Sequence, residues 1–109
     1  MSEKISLGDT LDRLYAVIDA RKGGDPEASY TAKLLNEGPA RCAKKFGEEA
    51  VEAAIAGAMG AREELAAEAA DTLYHLLVLM AATGVKPADV AGVLASREGV
   101  SGFEEKASR

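Results

Sequence analysis

Two short segments of this 109-residue chain carry carboxylates at helical spacing. The first contains Glu48, Glu49 and Glu52, and the second contains Glu68 and Asp71. Side chains three or four positions apart lie on the same face of an α-helix, so each segment presents a carboxylate pair on one face. If the segments are neighbouring antiparallel helices, the pairs meet and form an all-oxygen site. Such a site suits Mg²⁺ or Mn²⁺, which are hard cations that bind substrate phosphates.

A plain acidic surface is the alternative interpretation of these carboxylates, because 18 acidic residues in one short chain produce such pairs by chance. The positions of neighbouring lysines and arginines help to decide between a metal site and a plain acidic surface. The first two acids have Lys44 and Lys45 one turn earlier, whereas Glu52 and Glu68 have no Lys or Arg three or four positions away. Like charges at this spacing repel one another. A cation supplied from outside the chain would relieve this repulsion, but on these residues alone the metal site and the plain acidic surface both stay open.

Other common site chemistries lack their residues in this sequence. The single histidine, His75, is preceded by Thr72 at the position where a di-iron bundle needs a glutamate. There is no glycine-rich phosphate loop, no Gly-x-Ser-x-Gly segment and no histidine-based triad. The single cysteine, Cys42, excludes an internal disulfide and a zinc site that needs two thiolates, and we expect it to be buried.

The elements that must position the carboxylates are predicted to be helices. The chain has 22 alanines, five aromatic residues and no tryptophan, a composition that favours helices over strands. Periodicity, capping residues, glycine and proline predict an all-α fold, a small helical bundle of four to five helices. The predicted helices span about residues 6–21, 29–37, 39–58, 62–82 and 87–97.

Two of these helices carry apolar patterns that predict packing. In the third helix we expect a narrow apolar stripe of mostly small residues, formed by Ala43, Phe46, Ala50 and Ala54. In the fourth helix apolar side chains cover nearly the whole circumference, namely Leu76, Leu77, Val78, Leu79 and Met80. Since one partner layer cannot bury them all, we expect a homodimer. The alternative is the central helix of a monomeric bundle.

Charge and hydropathy limit the partners and the compartment. The net charge of −5, with no basic stripe, disfavours nucleic-acid binding. The longest apolar run, residues 76–82, is much shorter than a membrane span, and the start of the chain does not resemble a secretory signal. We therefore expect one cytoplasmic domain over residues 1–109, with residues 98–109 as a flexible tail.

The acidic pattern Glu48-Glu49-x-x-Glu52 followed by Glu68-x-x-Asp71 resembles the all-α nucleoside triphosphate pyrophosphohydrolases, the MazG-like superfamily. Four segments are similar to one family within it, the phosphoribosyl-ATP pyrophosphatases of histidine biosynthesis. They are residues 29–35 (Ser-Tyr-Thr-Ala-Lys-Leu-Leu), 44–52, 68–75 and 102–109. The resemblance implies hydrolysis of the α–β phosphoanhydride of phosphoribosyl-ATP, a small-molecule nucleotide, with release of pyrophosphate. It also implies Mg²⁺ as the cofactor, with Mn²⁺ as the second choice.

The resemblance assigns roles to the acidic residues. It implies that the metal ligands are Glu49, Glu52, Glu68 and Asp71. It places Glu48 and Glu49 in the catalytic group, where Glu48 is a further ligand or a base that orients the attacking water. Which acid is the base stays open.

The same resemblance suggests a set of substrate-binding residues, which are Ser29, Thr31, Lys33, Lys44, Lys45, Tyr74, His75 and Arg97. Six of them have an ordinary structural alternative: the three lysines could be solvated, Ser29 a helix cap, His75 a packed core residue and Arg97 a cation at a helix C-terminus. Two other functions also remain open. One is a housekeeping pyrophosphohydrolase acting on other nucleoside triphosphates, and the other is a helical dimerisation module without catalysis.

Overall fold

The computed structural model describes residues 4–100 and contains five helices in that range. The helices are α1 (Leu7–Ala20), α2 (Tyr30–Glu37), α3 (Pro39–Ala58), α4 (Arg62–Thr83) and α5 (Pro87–Ser96). All regular structure in the described range is helical, which confirms the predicted all-α fold. Ser6 caps α1 and Ser29 caps α2, each accepting a hydrogen bond from a backbone N–H three residues later.

The pair α3 and α4 forms the main contact of the bundle. The two helices are joined by residues 59–61 and run antiparallel. A Cβ atom at Gly57 would lie 3.7 Å from a methyl group of Leu65 near the turn. Further from the turn, the Thr72 hydroxyl contacts the backbone carbonyl of Glu49. The predicted antiparallel arrangement of the two acidic segments is therefore correct.

The C-terminal half of α4 is the centre of the hydrophobic core. Its buried residues pack with Ile18 of α1, Leu34 of α2 and Cys42 of α3. The five apolar residues that were expected to need a second subunit are buried or half-buried within one chain, and none is exposed. Since α1 and α2 pack on α4 in addition to α3, the packing is not two-layered. The circumference of α4 therefore does not by itself require a homodimer.

The predicted apolar stripe of α3 is wrong in part. Ala43 and Ala54 are exposed, whereas the fully buried residues are Cys42 and Ala56. The face of α3 towards α4 includes the acidic side chain of Glu49. The pattern of apolar residues alone therefore predicts the wrong face of α3. Cys42 is buried as predicted, and its thiol donates a hydrogen bond to the Leu34 carbonyl oxygen at 3.3 Å. Burial raises the pKa of this thiol.

Two further expectations concern α4 and the C-terminus. By length and composition, α4 is the one helix within residues 4–100 that could cross a membrane, a criterion that a core helix of a soluble protein also meets. Its buried residues place it at the centre of this bundle. In the predicted tail, Glu98 and Gly99 form an exposed turn after α5. Residues 101–109 lie outside the described residues.

Candidate functional site

Three of the four predicted metal ligands converge between α3 and α4. Glu49 of α3, and Glu68 and Asp71 of α4, each offer one carboxylate oxygen, and these oxygens lie within 4.8 Å of one another. Glu68 and Asp71 are three residues apart and share a helix face, as their spacing predicts. The antiparallel pairing then brings Glu49 opposite them. The result is a group of hard oxygen donors drawn from two helices.

The fourth predicted ligand, Glu52, adjoins this group. Its carboxylate lies close enough to Glu68 for its negative charge to raise the pKa of the Glu68 carboxyl. Glu52 is exposed, and it lies one turn beyond Glu49 along α3. The four acids named from the sequence are therefore neighbours in space, although the grouped oxygens come from three of them.

Glu68 lies where a negatively charged carboxylate is unfavourable. Its Oε2 atom is buried and has no hydrogen-bond partner. Burial raises the pKa of this carboxyl, and the negative charges of Glu52, Asp71 and Glu49 raise it further. An orphaned carboxylate oxygen among further acids is the environment that a divalent cation would relieve. The donor set therefore fits Mg²⁺ or Mn²⁺, which prefer oxygen ligands.

Glu48, the predicted base or further ligand, points to a different neighbour. Its carboxylate is exposed and lies 3.6 Å from the ammonium group of Lys45. It is not among the grouped oxygens. Burial lowers the pKa of His75, and the positive charge of the half-buried Lys45 lowers it further, so this predicted phosphate ligand lies beside the site.

An aromatic cluster borders the acidic group. His75 is buried, with its ring 4.9 Å from the ring of Tyr74 and 6.3 Å from that of Tyr30, both edge-to-face. Burial lowers the pKa of His75, while the nearby charge of Glu49 opposes that shift. The Nδ1 atom of His75 is buried without a hydrogen-bond partner. Both predicted residues, Tyr74 and His75, therefore lie together near the carboxylates.

The start of α2 reaches the same region. The hydroxyl groups of Thr31 and Tyr74 form a hydrogen bond, which ties α2 to α4. Ser29 uses its hydroxyl as the cap of α2, accepting from the Ala32 N–H at 3.1 Å. Tyr30 lies between these two predicted residues and contacts His75, but sequence reasoning missed it. Its position next to Thr31, at the N-terminus of a short helix, could have indicated that Tyr30 lies near the site.

The remaining predicted substrate ligands are less closely associated with the acids. Lys33 and Lys44 have exposed side chains on α2 and α3. Arg97 is the C-cap residue of α5, which packs against α1. The roles of these three residues in binding substrate stay predictions.

Sequence reasoning also missed a residue between the two ligand-bearing helices. The Thr72 hydroxyl oxygen lies 2.7 Å from the backbone carbonyl oxygen of Glu68 and 3.1 Å from that of Glu49. A threonine in the middle of a helix carries no sequence signal for such a contact. The direction of its hydroxyl depends on the helix that faces it.

Comparison with known proteins gives a consistent result along the chain. A family model described as phosphoribosyl-ATP pyrophosphohydrolase matches residues 11–98. The chain is 61% identical over 99 residues to a phosphoribosyl-ATP pyrophosphatase of Cereibacter sphaeroides, covering 91% of this chain and 96% of the relative. It is 63% identical over 99 residues to that of Paracoccus denitrificans, covering 91% and 92%. It is 60% identical over 109 residues to that of Caulobacter vibrioides, covering 100% and 99%. The chain therefore belongs to the phosphoribosyl-ATP pyrophosphohydrolase family.

Proposed function

We propose that this protein hydrolyses the α–β phosphoanhydride of phosphoribosyl-ATP in a Mg²⁺-dependent reaction, as the second step of histidine biosynthesis. The products are phosphoribosyl-AMP and pyrophosphate. The substrate is that of the named relatives. The observation that carries the proposal is the group of three carboxylate oxygens within 4.8 Å, on facing helices of a chain in this family.

The proposed metal ligands are Glu49, Glu68 and Asp71, with Glu52 as the fourth. A bound Mg²⁺ supplies charge neutralisation of the phosphate oxygens and a lower pKa for a coordinated water. The four carboxylates lie together, and the buried Glu68 oxygen without a partner supports a cation here. Mn²⁺, which accepts the same oxygen donors, is the second choice.

The proposed catalytic group consists of Glu48 and Glu49. Glu49 contributes an oxygen to the metal group, whereas the exposed carboxylate of Glu48 lies outside it. This difference supports Glu48 as the base that accepts a proton from the attacking water. As the new phosphorus–oxygen bond forms, the bond to the pyrophosphate oxygen breaks, and pyrophosphate leaves.

Three of the proposed substrate contacts, Lys45, Tyr74 and His75, lie beside the acidic group. The half-buried Lys45 would offset phosphate charge, and Thr31, Tyr74 and His75 would contact the nucleotide. Further predicted contacts are Ser29, Lys33, Lys44 and Arg97. Positive charge beside the leaving group is valuable, because phosphoryl-transfer catalysis is mainly positioning and electrostatic stabilisation.

We also propose that the protein is cytoplasmic and forms a homodimer. Support for the dimer comes from an apolar stripe formed by Val51 and Ile55 of α3 and by Met59 directly after it, which are exposed at four-residue spacing. A second copy of the chain would remove these side chains from water.

Pyrophosphate release from phosphoribosyl-ATP, ATP and dUTP, with and without Mg²⁺, tests the activity. We expect rapid release from phosphoribosyl-ATP that stops when the metal is chelated. Equal release from ATP or dUTP would instead indicate a housekeeping pyrophosphohydrolase. Release from none of the three would support the dimerisation module without catalysis.

A further inference from the structure

We propose that Thr72 is a positioning residue for the metal centre and acts through the backbones of Glu49 and Glu68. The inference rests on the proposed function, since it concerns two of the proposed metal ligands. The Thr72 hydroxyl oxygen is 2.7 Å from the Glu68 carbonyl oxygen and 3.1 Å from the Glu49 carbonyl oxygen. One hydroxyl therefore links the backbones of two residues whose carboxylates meet.

The contact with α3 is what distinguishes Thr72 from an ordinary helical threonine. A threonine in a helix commonly hydrogen-bonds a carbonyl three or four residues earlier in its own helix. Thr83 shows this usual pattern, with its hydroxyl 3.0 Å from the Leu79 carbonyl and 3.1 Å from the Met80 carbonyl, both in α4. Thr72 has one hydroxyl proton and shares it between the Glu68 carbonyl of its own helix and the Glu49 carbonyl of the facing helix, the bond to Glu68 being the shorter.

The extra bond restrains how α4 slides along α3 at the level of the carboxylates. A carbonyl oxygen has two lone pairs, so the Glu49 carbonyl can accept from Thr72 while it stays in the helical ladder. A small axial shift of α4 would move Glu68 and Asp71 together, relative to Glu49. Functional constellations must be held within about 0.5 Å of their productive geometry. Losing the bond should therefore weaken metal binding although every ligand is still present.

Mn²⁺ binding to the nucleotide-free protein tests this role, with free Mn²⁺ followed by electron paramagnetic resonance. Thr72→Val keeps the shape of the side chain and removes the hydroxyl. Groups that hydrogen-bond a ligating side chain directly typically contribute about 10- to 100-fold to metal affinity. Because Thr72 acts through the backbone of two ligand residues, we expect Thr72→Val to weaken Mn²⁺ binding by about tenfold, the lower end of this range. Thr72→Ser, which restores the hydroxyl, should bind within about twofold of wild type.

Thr83→Val is the matched control, because it removes a hydroxyl from the same helix without touching α3. It should bind Mn²⁺ as wild type does, and circular dichroism should show the same helix content for all variants. If Thr72→Val does not fold, Thr72→Ala carries the same expectation. Wild-type affinity in the folded hydroxyl-free variant would overturn the positioning role. A wild-type protein that binds no Mn²⁺ would reject the proposed metal centre and the role of Thr72 with it.

Discussion

At the scale of single residues, the candidate site is a set of acidic side chains that repel one another. The carboxylates of Glu49, Glu68 and Asp71 lie together, and one oxygen of Glu68 is buried without a partner. Within residues 4–100, the nearest ion pair joins Lys45 to Glu48, which is not one of the three. Their mutual repulsion supports the proposed cation site.

Asp71→Asn and Glu52→Gln are expected to abolish turnover and preserve the fold. Each variant removes a proposed ligand to the ion that stabilises the transition state, which should cost about 4 kcal/mol, or about a thousandfold in rate. Stability should be unchanged or higher by a few tenths of a kcal/mol, because like charges are removed. Pyrophosphate release at saturating Mg²⁺ measures the activity, and urea unfolding measures the stability.

The matched control for these variants is Glu63→Gln, a similar change at an exposed acid in the first turn of α4. It should keep nearly full activity. Near wild-type turnover in Asp71→Asn or Glu52→Gln would show that the assigned residue is not a ligand.

The raised pKa of Glu68 predicts a pH dependence of stability in the metal-free protein. Because its pKa in the folded state exceeds the ordinary value of 4.5, the folded protein holds a proton that the unfolded chain has released. The contribution of Glu68 to the free energy of unfolding therefore falls as the pH rises from near 4.5 through the folded-state pKa. Glu68→Gln lacks this group, so it should match wild type at low pH and exceed it at higher pH.

Urea unfolding with a chelator, between about pH 4 and pH 8, measures this difference. Excess Mg²⁺ provides the control, since the cation binds ionised carboxylates and should make wild type gain stability as the pH rises. A constant difference between wild type and Glu68→Gln across this range would contradict the assigned environment of Glu68.

The acidic part of the site could be predicted from the sequence, because helical spacing alone places Glu68 and Asp71 on one face. The short turn at residues 59–61 then brings Glu49 opposite them. The contact of Tyr30 with His75 and the bond from Thr72 to Glu49 could not be predicted in this way. Both depend on how two helices meet, which no local pattern encodes.

At the scale of elements, α3 and α4 act as one functional unit. All four proposed ligands lie on this pair, and only the folded pair brings them together. The ends of the helices were predictable because Ser29, Pro39 and Gly84 mark them locally. The inward face of α3 was not, because the site places a charged side chain where packing would place an apolar one.

Mg²⁺ should therefore raise the thermal unfolding midpoint of the wild-type protein. A ligand that binds only the folded state at about a hundred times its Kd stabilises by about 2.7 kcal/mol. For a chain of this size, that corresponds to roughly 10 °C. Differential scanning calorimetry at several Mg²⁺ concentrations measures the shift.

Glu52→Gln should show a much smaller Mg²⁺-dependent shift, whereas the Glu63→Gln control should shift as wild type does. A full shift in Glu52→Gln would mean that the ion binds elsewhere on the protein.

At the scale of the whole molecule, the exposed apolar stripe of α3 identifies where a second copy would pack. Ile55→Asp should lower subunit association strongly, because it would bury an unpaired charge in the proposed interface. Val17→Asp makes a comparable change at an exposed apolar residue of α1 and serves as the control. Leu77→Asp would not distinguish loss of subunit association from loss of folding, since Leu77 is buried in the core of its own chain.

Light scattering coupled to size-exclusion chromatography measures the mass of each variant. We expect a dimer for wild type and Val17→Asp, and a monomer for Ile55→Asp. A monodisperse wild-type monomer would refute the proposed homodimer.

The short connection between α3 and α4 has a consequence for the order of folding. Contacts within a helical hairpin are close in sequence, and chains rich in such contacts form them early and fast. The proposed ligands would then be assembled in the rate-limiting transition state, before α1 packs onto α4. Mg²⁺ should consequently accelerate refolding more than it slows unfolding. Stopped-flow experiments with and without Mg²⁺ would show this, and a change confined to the unfolding rate would place formation of the site after the barrier.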